Sequence, residues 1–227
     1  MSLRTKEPQY DRCIDIARTH STELGLMSNQ IWHDDPKRLS FVLARYKFVA
    51  KMFAGMEKVL EVGCADGFAT RLVVQGVGSL MATDFDPIFI ADAKKHASDA
   101  WPFECQTHDF LQKPLQGDFD GVYAIDVIEH IKPDDENTFL GNIAMSLNHH
   151  GTCILGSPSL ESQAYASEGS KAGHVNCKTG KDLKALMSRF FYNVFLFSMN
   201  DEVVHTGYEK MAHYLFAIGC APRNKIK

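Results

Sequence analysis

At 227 residues with 45% hydrophobic side chains, the chain has the length and composition of one globular domain with a sizeable core. A formal net charge of -4 and the lack of any Lys or Arg run exclude tight binding to a phosphate backbone, which needs clustered positive charge. No apolar stretch approaches the roughly 18 residues of a membrane span. The opening residues carry no apolar leader, and Met1-Ser2-Leu3 reads as an expression scar. Cys13, Cys64, Cys105, Cys153, Cys177 and Cys220 form no C-x-x-C pair, so they read as reduced thiols of a cytoplasmic protein.

The first periodic element in chain order is a helix, in which Leu39, Val42, Leu43, Tyr46, Val49, Ala50 and Phe53 recur at helical spacing. Its other face carries Arg38 and Arg45. Trp32 and His33, in the loop before it, are candidates for the lining of an acceptor pocket, with Trp32 a core or lid contact. A strand over Lys58–Gly63 then runs into Gly63-Cys64-Ala65-Asp66-Gly67, and Phe68, Leu72 and Val73 mark the helix that follows. Such a loop lets backbone approach a ligand closely, because glycine has no Cβ to block it. Asp66 would repel a pyrophosphate but suits a cofactor carrying an ammonium and a sulfonium. Glu61, inside the apolar strand, is costly to bury unless something pairs with it, either a ligand or a loop amide or water. Cys64 reads as a small residue that fits the loop, without a local base to make it a nucleophile. The second strand, Ser79–Phe85, ends in Asp84, placed to accept hydrogen bonds from two ribose hydroxyls. Loop and acid together indicate a bound nucleoside.

Further strands are expected over Pro102–His108, Asp120–Asp126 and Thr152–Ser157. A helix over Asp134–His149 buries Phe139, Leu140, Ile143, Ala144 and Leu147, with Asp134, Asp135 and Glu136 at its N-terminus as the helix dipole prefers. Another opens at Thr179 with Asp182 completing a capping box, and buries Leu183, Leu186, Met187 and Phe190. This alternation indicates a parallel sheet covered on both faces. Tyr192–Met199 and Lys210–Cys220 then read as two antiparallel strands joined by a polar loop. Proton-handling groups collect after the fourth strand in Asp126-Val127-Ile128-Glu129-His130. After the fifth, the long polar segment Ser157–Lys178 carries Tyr165 and His174 and reads as a lid or binding loop.

Glu61-Val62-Gly63-Cys64-Ala65-Asp66-Gly67, followed by Ala82-Thr83-Asp84-Phe85-Asp86-Pro87, resembles the first two motifs of class I S-adenosylmethionine-dependent methyltransferases. His108-Asp109-Phe110 resembles the family's third-strand motif, and Phe119 to Ile131 its fourth strand and following turn. The likeness runs in order from Lys58 to Pro158. Ala65 stands where many members have a second glycine. The resemblance implies an α/β, three-layer Rossmann-like sandwich with seven strands, mostly parallel, and an antiparallel C-terminal hairpin strand. It implies a helical cover over residues 1–57 and a cofactor-binding domain over 58–227. The cofactor would be S-adenosyl-L-methionine, released as S-adenosyl-L-homocysteine. Its contacts would be Arg45 on the methionine carboxylate, Asp84 on the ribose and Asp109 on the adenine amino group. Glu61, Gly63, Cys64, Ala65, Phe85, Phe110, Ile125 and Asp126 would complete that site.

Within the family, the spacing resembles ubiquinone-pathway O-methyltransferases and small-RNA 2′-O-methyltransferases. Their E-x-x-E-H motif plus a later histidine can hold a divalent metal beside the acceptor hydroxyl. Asp126 replaces the first glutamate, which favours His130 or His174 as a simple base over a metal. Glu129, His130 and His174 are thus the catalytic candidates. The fifth strand ends Gly156-Ser157-Pro158-Ser159, without the [DNS]-P-P-[FYW] motif of amine methylation and without a Pro-Cys nucleophile pair. A small-molecule acceptor, methylated on a hydroxyl, is the leading reading, with no nucleic acid and no membrane span expected. The alternatives are a nicotinamide-dependent oxidoreductase and a non-catalytic nucleoside-binding protein of the same fold.

Overall fold

The computed structural model describes residues 4–223, so Met1-Ser2-Leu3 lies outside the described residues. Three helices come first: α1 (Asp11–Thr19), α2 (Leu26–Asp34) and α3 (Pro36–Met52). The strands are β1 (Lys58–Val62), β2 (Ser79–Asp84), β3 (Glu104–Thr107), β4 (Phe119–Ile125), β5 (Leu147–Pro158), β6 (Phe191–Asn200), β7 (Val203–His205) and β8 (Tyr214–Pro222). Between them lie α4 (Thr70–Val74), α5 (Pro87–Lys95), α6 (Glu136–Ser146), α7 (Glu168–Gly173) and α8 (Gly180–Ser188). One sheet takes all the strands, in the order β3-β2-β1-β4-β5-β8-β6-β7. The first five run parallel, and β8 enters antiparallel between β5 and β6. Strand order reverses between β1 and β4, and ligands bind such sheets in the crevice beyond the strand ends at that reversal.

The strand count is eight, not seven. Val203 and Val204, in the loop expected to be polar and irregular, fold back on β6 so that Asn200 pairs with Val203 and Ser198 with His205. A tight turn at Asp201 (φ 50°) makes the return, and the His205 ring bonds Asn200 Oδ1 at 2.9 Å. The fifth strand also begins earlier than expected. Leu147 pairs with Phe119 across a register shift, so α6 stops at Ser146 and not at His149. An isolated leucine at that point satisfies a helical stripe and a strand equally, and the pairing with Phe119 decides it. The helix opening at Thr179 is capped as its sequence indicates, the Asp182 N–H donating to Thr179 Oγ1 at 3.1 Å.

Each face of the sheet has its own core. Leu140 and Ile143 of α6 and Leu183 and Met187 of α8 meet Leu155 and Leu215 on one face. On the other, Val49 of α3 and Phe53 at its C-cap pack with Val59, Ile90, Tyr123 and Phe216. Full burial of such a side chain stabilises the fold by about 1.5–3 kcal/mol.

Trp32 and His33 belong to α2 and not to a loop, and Trp32 is half exposed. Helix α2 has no capping side chain of its own, because its N-cap is Gly25. Two carboxylates distant in the chain, Asp66 in the loop after β1 and Asp92 in α5, supply the cap. The Leu26 N–H donates to Asp92 at 2.7 Å and the Ser28 N–H to Asp66 at 2.6 Å, with Ser28 Oγ donating to Asp66 at 3.1 Å. A Cβ on Gly25 would stand 2.4 Å from Asp66 Cβ, so glycine permits this approach.

Candidate active site

A cleft of about 730 Å³ opens at the reversal point. Its floor is the loop after β1, the turn after β4 and the segment after β5; its roof is α2 and one face of α3. The loop takes its shape from three left-handed residues, Gly63 (φ 79°), Ala65 (φ 46°) and Gly67 (φ 67°). A side chain at Gly63 would meet Val127 Cγ2 at 2.4 Å. The need for glycine there is therefore set first by the turn after β4, before any ligand is considered.

Among the cofactor candidates, Arg45, Gly63, Cys64, Ala65, Ile125 and Asp126 line the cleft. Glu129, His130 and His174 line it too. Asp84 lies just beyond, at the end of β2, where it accepts the Ala65 N–H at 3.0 Å and the Asp86 N–H at 2.9 Å. Phe85 beside it is exposed. Asp109 accepts the Leu111 N–H at 2.8 Å and shapes the turn after β3. Phe110 departs from expectation: its ring is buried in the core, edge-on to His108 and Phe139. Trp32 and His33 also fall outside the lining, because α2 presents Met27, Ser28, Ile31 and Asp34 instead. The Cys64 thiol is buried and pushed well above its ordinary range by desolvation, which leaves it a small packing residue.

Glu61 stands behind the loop and not on the cleft wall. Tyr46 and Thr70 donate their hydroxyls to its two oxygens at 2.7 and 2.6 Å. Burial lifts its pKa from 4.5 to about 7 despite those bonds. The sign follows from linkage: the folded protein keeps this proton while the unfolded chain loses it near 4.5, so stability falls as pH rises through this window. The penalty, absent below the unfolded value, reaches about 3 kcal/mol above pH 7. Glu61→Gln should therefore melt higher than the parent at pH 8 and match it near pH 5, read by thermal unfolding. Equal melting temperatures at both values would show Glu61 to be an ordinary carboxylate.

Asp66 does not face a ligand with a free charge. It caps α2 and accepts the Phe68 N–H at 3.1 Å, so its role is to tie roof to floor. Arg45 is clamped between Asp126 Oδ2 at 2.6 Å and the Tyr214 ring, 3.9 Å below its guanidinium carbon. Burial opposes its charge, but Asp126 outweighs burial and raises the Arg45 pKa above its ordinary value. Arg45 Nε, Asp126 Oδ1 and the Tyr214 hydroxyl are buried without hydrogen-bond partners. Asp126 itself is left-handed at φ 59°. Unsatisfied buried polar atoms are costly, and beside an open cleft they mark a place prepared for a polar ligand.

One ligand atom from each of Glu129, His130 and His174 lies within 4.8 Å of the other two. Both Glu129 oxygens are buried without a partner, and burial followed by the nearby Asp126 charge raises its pKa well above the carboxylate range. His130 Nδ1 bonds the Gly173 carbonyl at 2.9 Å, which fixes the proton on Nδ1 in the neutral ring. His174 Nδ1 meets Gln163 Oε1 at 3.0 Å. Each ring thus keeps Nε2 as its free nitrogen. Burial lowers the His174 pKa, with the neighbouring His130 ring acting in the same direction. Asp126 stays out of this triplet because Arg45 holds it. Sequence spacing brought out all three of these residues. It did not bring out Ser28, Gln163 or Tyr214, whose parts depend on contacts remote in the chain.

A family model described as a methyltransferase domain matches residues 59–151. The ubiquinone biosynthesis O-methyltransferase of Xanthomonas campestris pv. campestris is 24% identical over 163 residues, which cover 65% of this chain and 65% of that relative. The mitochondrial ubiquinone biosynthesis O-methyltransferase of Schizosaccharomyces pombe is 28% identical over 108 residues, 45% of this chain and 38% of the relative. Among solved structures, the N-methyltransferase NodS from Bradyrhizobium japonicum WM9, in complex with S-adenosyl-L-homocysteine, superposes with a TM-score of 0.62 at 17% identity. That match covers 85% of this chain and 91% of NodS. The matches thus span about two thirds of the length of the first of these relatives, 65%, and the likeness to NodS is one of fold. Motif order and strand order agree with that match: residues 59–151 carry a methyltransferase domain, and the described residues have the Rossmann-like fold of S-adenosylmethionine-dependent methyltransferases.

Proposed function

We propose that the chain transfers the methyl group of S-adenosylmethionine to a hydroxyl oxygen of a small acceptor. The observation that carries the hydroxyl reading is the triplet of Glu129, His130 and His174 on the cleft floor, next to the glycine loop. In this reading the loop Gly63-Cys64-Ala65, Asp84 and Asp109 hold the nucleoside, and Arg45 with Asp126 receives the methionine end. The acceptor oxygen attacks the methyl carbon, the carbon–sulfur bond breaks, and sulfur keeps the electron pair as a neutral thioether. The hydroxyl proton passes to the free Nε2 of His130 or His174, whose Nδ1 bonds hold the rings in the accepting tautomer. Alignment in the cleft supplies on the order of 7–11 kcal/mol. Helices α2 and α3 act as the cover, and free cysteines fit a cytoplasmic location. Among the described residues no helix is long and apolar enough to cross a membrane.

The triplet also fits a divalent ion. Two imidazoles and a carboxylate form a suitable donor set. Such an ion, when bound, would lower the pKa of the acceptor hydroxyl. Chelation separates the two mechanisms. With a histidine base, release of S-adenosylhomocysteine should be unchanged by EDTA. Loss of turnover in EDTA, restored by magnesium, would move the role from the histidines as bases to the histidines as ligands.

A further inference from the structure

We infer that the acceptor carries an anionic group, a carboxylate or a phosphate, and that Arg38 is the residue that selects it; this rests on the proposed methyl transfer to a hydroxyl. Arg38, Val42 and Arg45 lie on the one face of α3 that roofs the cleft. Arg38 and Arg45 are seven residues apart, so they point the same way with about 10 Å of helix between them. Their electrostatic situations differ. Arg45, at the inner end, is neutralised by Asp126 at 2.6 Å. Arg38, at the mouth, is exposed, and no hydrogen bond or ion pair joins its side chain to any described residue.

The acids lining the cleft leave that charge uncompensated. Asp66 is engaged by Ser28 and Phe68, and Asp126 by Arg45. Glu129 is buried deep on the floor, away from the mouth where Arg38 is exposed. Asp34, the remaining carboxylate of the lining, accepts from Gln30 at 3.3 Å and makes no ion pair with Arg38. The segment after β5 lines the same cleft with neutral polar side chains, Ser162, Gln163, Ser167 and Ser170. Arg38, His130 and His174 line the same cleft. A ligand whose hydroxyl meets His130 or His174 therefore has a guanidinium within a short molecule's reach. A planar fork of donors at that point matches a carboxylate or phosphate in bidentate fashion. Half-open to water, it would discriminate more by charge than add large affinity.

The test uses the full chain saturated with S-adenosylhomocysteine and matched pairs of probes that differ in charge. One pair is 3-hydroxybenzoate and 3-hydroxybenzamide; the other is ribose 5-phosphate and ribose. Calorimetric titration should give at least tenfold tighter binding of the anion in one pair, and which pair responds distinguishes carboxylate from phosphate. Arg38→Gln should bring the members of that pair within twofold of each other, and Arg38→Glu should reverse the preference. Affinity for S-adenosylhomocysteine should stay within twofold in both variants. An equal affinity for charged and neutral members, a preference that survives Arg38→Gln, or binding of neither anion would overturn the inference. Failure of S-adenosylhomocysteine itself to bind would instead strike the proposed function.

Discussion

Turnover with a true hydroxyl acceptor should fall by one to two orders of magnitude or more in His130→Ala and in His174→Ala, the usual scale for loss of a positioned base. Both rings sit on the cleft floor with Nδ1 already committed, to Gly173 and Gln163, and with Nε2 free. Affinity for S-adenosylhomocysteine should hardly move, because neither ring is needed by the nucleoside. The two losses should be far from additive, since the rings face each other with centroids 5.2 Å apart and act on one proton or one ion. Steady-state release of S-adenosylhomocysteine reads both quantities. Full turnover in both variants would leave catalysis to alignment alone and make the histidines structural.

Asp84→Ala should weaken S-adenosylhomocysteine binding by at least two orders of magnitude. Two ribose hydroxyls bonded to a charged carboxylate contribute roughly 1.5–3 kcal/mol each. The structure adds a second cost, since the same carboxylate accepts the Ala65 and Asp86 N–H groups and so shapes the loop from behind. The two contributions separate on comparing binding with stability. A loop effect alone would lower the melting temperature with little change in affinity; ribose recognition lowers affinity directly. Unchanged affinity in the variant would remove Asp84 from the cofactor site.

The parallel half of the fold was legible because its signals are local. Val59, Leu60 and Val62 bracket Glu61 as a strand, Gly63 and Gly67 mark the turn, and Asp84 closes the next strand. Thr179 and Asp182 announce their helix by a cap within four residues. What escaped depends on distant partners. Asp66 looks like a ligand charge until Ser28, 38 residues earlier, folds onto it. Phe110 looks like a cofactor contact until Phe139 and His108 enclose it. Helix α2 had no local cap to announce it, because Asp66 of the loop after β1 and Asp92 of α5 cap it from far along the chain. Three-residue β7 is too short for any period, and its pairing with β6 exists only once the turn at Asp201 is made. The triplet of Glu129, His130 and His174 was legible by position, but its free valencies were not. These follow from burial of Glu129 and from the bonds that fix the two rings.

Calorimetric titration of the unmodified chain with S-adenosylhomocysteine and, separately, with NAD tests the central claim most directly. The loop Gly63-Cys64-Ala65-Asp66-Gly67, with an acid in it and Asp84 behind it, should give saturable one-to-one binding of S-adenosylhomocysteine and no heat with NAD. Binding of NAD with S-adenosylhomocysteine silent would contradict it.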